Sequence, residues 1–270
     1  MTMLQLPARA QAGRLALTID DVNVDLQGPG DVIAIVSSIL RRHRRTTGRA
    51  DDIVRGLTIR LTRSDDTVAA CGRSAVQRII QAVAEIRSRH VVRAAALERG
   101  GRALVIAGPP GCGRSTLAAH FLSRGWSLVA DDLTVLSDDG TTVVRNHALM
   151  SLAATSVPHL PLQFREALER SRWCVDAAKE LRFYEVDPGT VFGARAWSDG
   201  ARLDAVVFLT GAAEDCGVET LHRARGAELF ASVAAKVPDC ANVRIGATAL
   251  GRSSRCAESI ECWYEAHATP

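Results

Sequence analysis

Residues 102–116 read Arg-Ala-Leu-Val-Ile-Ala-Gly-Pro-Pro-Gly-Cys-Gly-Arg-Ser-Thr. An apolar run from Ala103 to Ala107 suits a buried parallel strand and stops at Gly108. Gly108, Pro109, Pro110, Gly111, Cys112 and Gly113 follow, and Arg114, Ser115 and Thr116 lead into a helix-like stretch from Leu117 to Leu122. Strand, glycine-rich loop, cation, hydroxyl and helix in this order spell a phosphate-binding loop, with Arg where the motif carries Lys. The chemistry explains the spacing. Glycines let the backbone curl so that successive N–H groups face one phosphate chain, and the helix N-terminus adds positive potential. A cation beside the last glycine reaches the outer phosphates, and the hydroxyl of Ser115 is a ligand for Mg2+. The stretch Gly108 to Thr116 is therefore expected to bind a nucleoside triphosphate. A chance glycine turn between strand and helix would leave the ordered cation and hydroxyl unexplained.

Arg114 keeps the positive charge of the motif lysine, but its planar head is larger and differently aimed. Two readings follow: a site weakened or silenced by the change, or drift in a chain biased toward Arg. The bias is plain, since of 33 basic residues only Lys179 and Lys236 are lysines. A working catalyst is the expectation carried forward.

At 270 residues the chain is long enough for one large domain, or a large domain with a smaller partner. Hydrophobic content of 47% with 23% charged residues describes an ordinary globular protein, and a net charge of +3 does not argue for nucleic acid. No apolar run has the length of a membrane span, and Met1 to Ala12 lacks a charged-then-apolar leader, so the expected address is the cytoplasm. Seven cysteines at irregular spacing contain no C-x-x-C pair and support neither a zinc site nor a disulfide framework. Cys112 stands apart because it lies in the loop at a helix N-terminus, where thiol pKa values tend to fall. A redox switch and simple gap-filling are both open there, with gap-filling the plainer account.

Residues 1–88 read as a small α+β module. Arg14 to Ile19 and Val22 to Leu26 alternate as a hairpin does, and Asp31 is placed to cap an amphipathic helix through Ile33, Val36, Ile39 and Leu40. Leu57 to Leu61 and Val68 to Cys71 read as two strands around a turn at Ser64-Asp65-Asp66, and Ser74 to Arg87 as a second helix. The basic run Arg41 to Arg45, with Arg49, suits a solvated helix end; no aromatic residue is interleaved to make it a nucleic-acid surface. Residues 89–270 alternate strand, loop and helix. Trp126 to Ala130 ends at Asp131-Asp132; Leu133 to Leu136 and Thr141 to Val144 flank a turn at Asp138-Asp139-Gly140. Residues 145–203 look irregular and hold six of the twelve aromatics, for which a local core is the simpler role than a cover over an acceptor. Leu203 to Thr210 reads as a central strand, Arg223 to Lys236 as a helix, and the remainder as a weaker tail.

Asp131 and Asp132 fall at the carboxyl end of the strand after the loop helix. In a parallel α/β sheet that edge is shared with the phosphate loop. One acid there holds Mg2+ or its water, and the other takes the proton of an attacking hydroxyl; the sequence leaves open which does which.

With these residues in hand, Gly108-x-x-Gly-x-Gly-Arg-Ser-Thr-Leu-Ala followed by Arg124-Gly125-Trp126-x-Leu-Val-Ala-Asp131-Asp132 resembles the HPr kinase/phosphorylase family and its related branch, over residues 100–137. The resemblance implies an α/β phosphate-loop kinase core related to phosphoenolpyruvate carboxykinase, here behind a small N-terminal α+β module. It implies transfer of the ATP γ-phosphoryl to a serine hydroxyl of a peptide or protein. Gly108, Gly111, Gly113, Arg114 and Ser115 carry over as nucleotide and Mg2+ binders, and Asp131 and Asp132 as base and metal pair. The family also places a His upstream of the loop strand; here Arg93-Ala94-Ala95-Ala96 occupies that context and His90 lies three residues earlier. Either His90 serves by a shift, or Arg93 stands in as a phosphate cation. Lys179 and Arg182 resemble a basic pair that related kinases set near the phosphates, and equally two solvated cations. The rival functions are a non-catalytic nucleotide-binding regulator and a small-molecule kinase. Self-association is left open.

Overall fold

Asp20 and Asp21 both adopt positive φ, 50° and 59°, the two-residue turn whose twist matches a tight hairpin. They join β1 (Ala12–Ile19) to β2 (Val22–Pro29), which pair antiparallel as the alternation predicts. The computed structural model describes residues 12–40, 55–62, 68–146, 148–168, 172–176, 181–212, 217–234, 243–250 and 253–266. The basic run 41–45 with Arg49, and the turn at 64–66, lie outside these.

Helix α1 (Gly30–Ile39) starts one residue before Asp31, whose Oδ1 accepts from the Val32 N–H within the first turn instead of capping from ahead. Strand β3 (Arg55–Arg60) returns parallel to β2. Helix α2 (Val68–Ile86) begins where a strand was expected. The reason lies in the period: Cys71, Ala75, Val76, Ile79, Ile80 and Val83 are all buried, a helical stripe that starts earlier than Ser74. Their core is shared with Leu133, Val135 and Ala148, so residues 12–86 pack directly on the rest of the chain.

There follow β4 (His90–Arg99), β5 (Arg102–Ala107), α3 (Arg114–Ser123), β6 (Ser127–Ala130), β7 (Leu133–Leu136) and β8 (Thr142–Val144). Next come β9 (Met150–Ala153), α4 (Leu162–Leu168), β10 (Arg172–Asp176), β11 (Leu181–Val186) and α5 (Pro188–Phe192). The last elements among the described residues are β12 (Gly200–Ala212), β13 (Glu219–Thr220), α6 (Arg223–Val233), β14 (Arg244–Leu250) and α7 (Ser253–Ala266). The main sheet runs β13-β14-β12-β5-β4-β7-β8, with β6 also on β4 and β8 returning to the start of β12. It is mixed: β14, β12 and β5 are parallel, whereas β4 is antiparallel to its neighbours. Both faces of β5 are covered. Ala103, Val105 and Ala107 pack toward Phe208 and the α6 residues Phe230 and Val233. Leu104 and Ile106 pack toward α3 and α7, where Trp126 meets Phe121 and Tyr264 edge-on.

Residues 145–203 are more regular than their composition suggests. They form a three-stranded antiparallel sheet, β10-β11-β9, joined by short helices. Phe164 is fully buried against Phe192, and Tyr184 and Trp197 pack at the edge of the same core. The tail also contributes a strand: β14 lies parallel to β12, a pairing about forty residues distant that no local pattern announces.

Candidate active site

Strand directions bring the expected residues to one edge. Strands β5 and β6 both run antiparallel to β4, hence parallel to each other with β4 between them. Their last residues, Ala107 and Ala130, face Ala94 and Ala96 of β4. The loop after β5 and the acids after β6 therefore emerge side by side, although the sheet is not wholly parallel as expected.

The loop leaves β5 through Gly108 at φ 157°, where a Cβ would stand 2.8 Å from Cys112 Sγ and 3.1 Å from the Leu209 carbonyl. Gly111 and Gly113 follow at φ 83° and 93°, conformations that cost a residue with Cβ about 1 kcal/mol or more. The Cys112 N–H closes the loop on the Pro109 carbonyl at 3.3 Å, and Gly113 caps α3 as its carbonyl accepts from Leu117. Pro109, Pro110 and Gly111 are exposed, Ser115 is half-buried and Thr116 is buried. Cys112 fills the gap under the loop. Burial pushes its thiol up, and the nearby Arg114 only partly offsets this, so the site does not favour a thiolate.

Asp131 and Asp132 interrupt what would otherwise be one long strand along β4. The Leu133 N–H donates to the Asp131 carbonyl at 2.8 Å, a three-residue turn centred on Asp132 at φ 67°. Turns of this hand are rare and cost of order 1–3 kcal/mol, and Asp tolerates them better than most residues. The turn throws the two side chains into different surroundings. Asp131 is 3% exposed. Its carboxylate accepts from Ser115 Oγ at 2.8 Å and from the Ser151 N–H at 3.1 Å. Burial first, and then Asp132, raise its pKa to about 6. Asp132 is more open, and accepts from Gln77 Nε2 at 2.7 Å and Arg114 Nη2 at 3.3 Å.

Arg114 is 8% exposed, with one arm donating to the Gly108 carbonyl and the other to Asp132. The loop cation thus bridges the first loop residue and one of the two acids, a fork that an ammonium does not match.

A cleft opens beside these acids between α2 and β9–β11, lined in part by Arg73, Gln77, Ser151 and Glu185. Glu185 pairs with Arg73 at 2.5 Å and lies across from Ser151 in the β9–β11 register. Burial, with smaller contributions from Asp131 and Asp132, pushes Glu185 up to about 7 despite Arg73. These four residues were not expected from the sequence. The available signal was the one-turn spacing of Arg73 and Gln77, two polar residues set into an otherwise apolar helix face.

His90 does not join the group. It is buried, and its Nε2 donates to the Asp138 carbonyl at 2.9 Å, at the turn between β7 and β8. The cause is geometric: β4 pairs with β7 from His90 onward, which carries its first residue to that turn. Arg93 is exposed, next to Ala94, whose N–H donates to the Asp132 carbonyl at 3.1 Å. Lys179 lies outside the described residues, as does the side chain of Arg182, whose backbone is in β11 opposite Val175.

No family model matches the chain, and no curated protein matches it in sequence. Among solved structures it is similar to the Hpr(Ser) kinase/phosphatase from Coxiella burnetii, at 14% identity and a TM-score of 0.37, over 66% of this chain and 89% of that one. Among the described residues, no helix is long and apolar enough to cross a membrane.

Proposed function

We propose that the chain binds ATP with Mg2+ at the loop 108–116 and transfers the γ-phosphoryl to a hydroxyl, that of a serine in a peptide or protein. The observation that carries this reading is the hydrogen bond from Ser115 to Asp131, which joins the loop helix to the acid at the strand edge. A hydroxyl and a buried carboxylate are hard oxygen donors of the kind Mg2+ takes, and a cation between them would offset the repulsion of Asp131 by Asp132. Among the described residues no three His, Cys, Asp or Glu side chains converge on a cation site, so substrate phosphates would complete the shell. When bound, Mg2+ would neutralise charge on the phosphates.

In this reading the loop N–H groups and the N-terminus of α3 hold the phosphate chain. Asp132, the more open acid, receives the proton of the acceptor hydroxyl, while Asp131 and Ser115 would hold the metal. Arg114 holds Asp132 relative to the loop and adds charge where the phosphates lie. A non-catalytic nucleotide-binding regulator is the second reading, favoured by the engagement of Arg114 with Asp132 and the Gly108 carbonyl. A small-molecule kinase would use the same residues. Calorimetry with ATP and Mg2+, followed by ADP release with and without serine peptides, separates the peptide kinase from the regulator. No binding at millimolar ATP ends the nucleotide reading, and binding without ADP release favours the regulator.

A further inference from the structure

We infer that Gln77 is a positioning residue for Asp132, so that helix α2, from the N-terminal part of the chain, completes the phosphotransfer site. The inference rests on the function proposed above and adds to it a residue outside both sequence motifs. Asp132 sits at the centre of a strained turn, and its side chain needs external donors to hold one orientation. Two supply it from opposite sides: Arg114 of the loop helix donates to Oδ1, and Gln77 donates to Oδ2 across 55 residues of sequence. With both oxygens engaged, rotation of the carboxylate is restrained, which a proton acceptor in an in-line transfer requires.

Gln77 is itself held. It is half-buried beside Val76 and Ile80, which are buried, and lines the cleft next to the acids. One helical turn earlier, Arg73 pairs with Glu185 of β11 at 2.5 Å and stacks over Phe183 at 4.3 Å. That pair fastens α2 to β11 next to the acids. A half-buried glutamine on such a face costs stability unless partnered, and here the amide donates to the carboxylate the mechanism uses.

The test uses the full chain and Mg–ATP hydrolysis, with water as acceptor. Gln77→Met keeps length and helix propensity but removes the donor; its kcat should fall about tenfold while Kd for Mg–ATP stays within about twofold. Gln77→Lys restores a donor of similar reach and should recover kcat to within about threefold, whereas Gln77→Glu sets a carboxylate against Asp132 and should not. Arg78→Leu, on the exposed face of α2, is the control expected to match wild type. A Gln77→Met enzyme with wild-type kcat overturns the inference, as does a Gln77→Lys enzyme that falls with it. A wild type that binds Mg–ATP but turns it over neither with water nor with serine peptides overturns phosphotransfer and the role of Gln77 together. A wild type that binds none overturns the nucleotide reading itself.

Discussion

The hydroxyl of Ser115, in the first turn of α3, donates to both carboxylate oxygens of Asp131 at the end of β6, at 2.8 and 3.0 Å. One proton shared between two oxygens is a weak restraint and an open invitation to a cation. Ser115→Ala removes an oxygen ligand without altering the backbone. The expected outcome is at least about a tenfold loss of ATP affinity in Mg2+, with little change when the metal is chelated. Calorimetry under both conditions reads the difference; equal losses in both would mean that Ser115 acts on the loop and not on the metal.

Asp131 also sets a pH dependence. Its pKa in the folded chain is raised from 3.8 to about 6, by burial first and Asp132 second. Below about pH 4 the group is protonated in folded and unfolded chains alike and costs nothing. Between about pH 4 and 6 the folded chain keeps a proton that the unfolded chain has released, so stability falls as pH rises. Above pH 6 the full cost applies, about 3 kcal/mol at 1.36 kcal/mol per unit. Asp131→Asn should therefore stabilise the metal-free protein above about pH 6, by less than that figure because an amide accepts from Ser115 or Ser151 but not fully from both. Near pH 4 the gain should vanish. Urea midpoints across this range decide it, and a gain equal at both ends would refute the buried-acid account.

The loop and the paired acids were legible because local order carries them: an apolar strand, glycines at fixed spacing, and acids after the next strand. Their meeting was legible only through a parallel sheet. The structure reaches the same edge by another route, with antiparallel β4 between β5 and β6. Gln77 and Glu185 were not legible, since each meets the acids through tertiary packing of distant segments. His90 misled for the complementary reason. Three residues along β4 move a side chain from the loop edge to the β7–β8 turn. The helix start at Val68 and the β9–β11 sheet were missed where short apolar runs fit two periods equally.

Gly108 should tolerate no side chain. Its φ of 157° is rare for L residues, and the two atoms nearest an added Cβ differ in freedom: Cys112 Sγ at 2.8 Å can move, but the Leu209 carbonyl at 3.1 Å belongs to β12. Gly108→Ala is expected to cost about 1–3 kcal/mol and to weaken nucleotide binding. Adding Cys112→Ala should return only part of that stability, because the backbone contact remains. Thermal unfolding of the single and double variants measures the split; full recovery in the double variant would locate the whole clash at the thiol.

Arg114→Lys decides whether the departure from the lysine motif is drift or design. A drifted site would accept the motif residue, with kcat/KM kept or raised. The observed bonds argue otherwise: one guanidinium arm reaches the Gly108 carbonyl while the other reaches Asp132 at 3.3 Å, from a side chain that is only 8% exposed. An ammonium is a compact donor without that fork, and loses the hold on the loop or on the acid. Lysine at this position is therefore expected to lower kcat/KM by about tenfold or more, about 1.4 kcal/mol of transition-state stabilisation. The loss should fall mainly on kcat, because the displaced partner is the acid that meets the acceptor. Steady-state kinetics of both forms at saturating Mg–ATP measures this, and a lysine variant as active as wild type would show that the fork has no part in the chemistry.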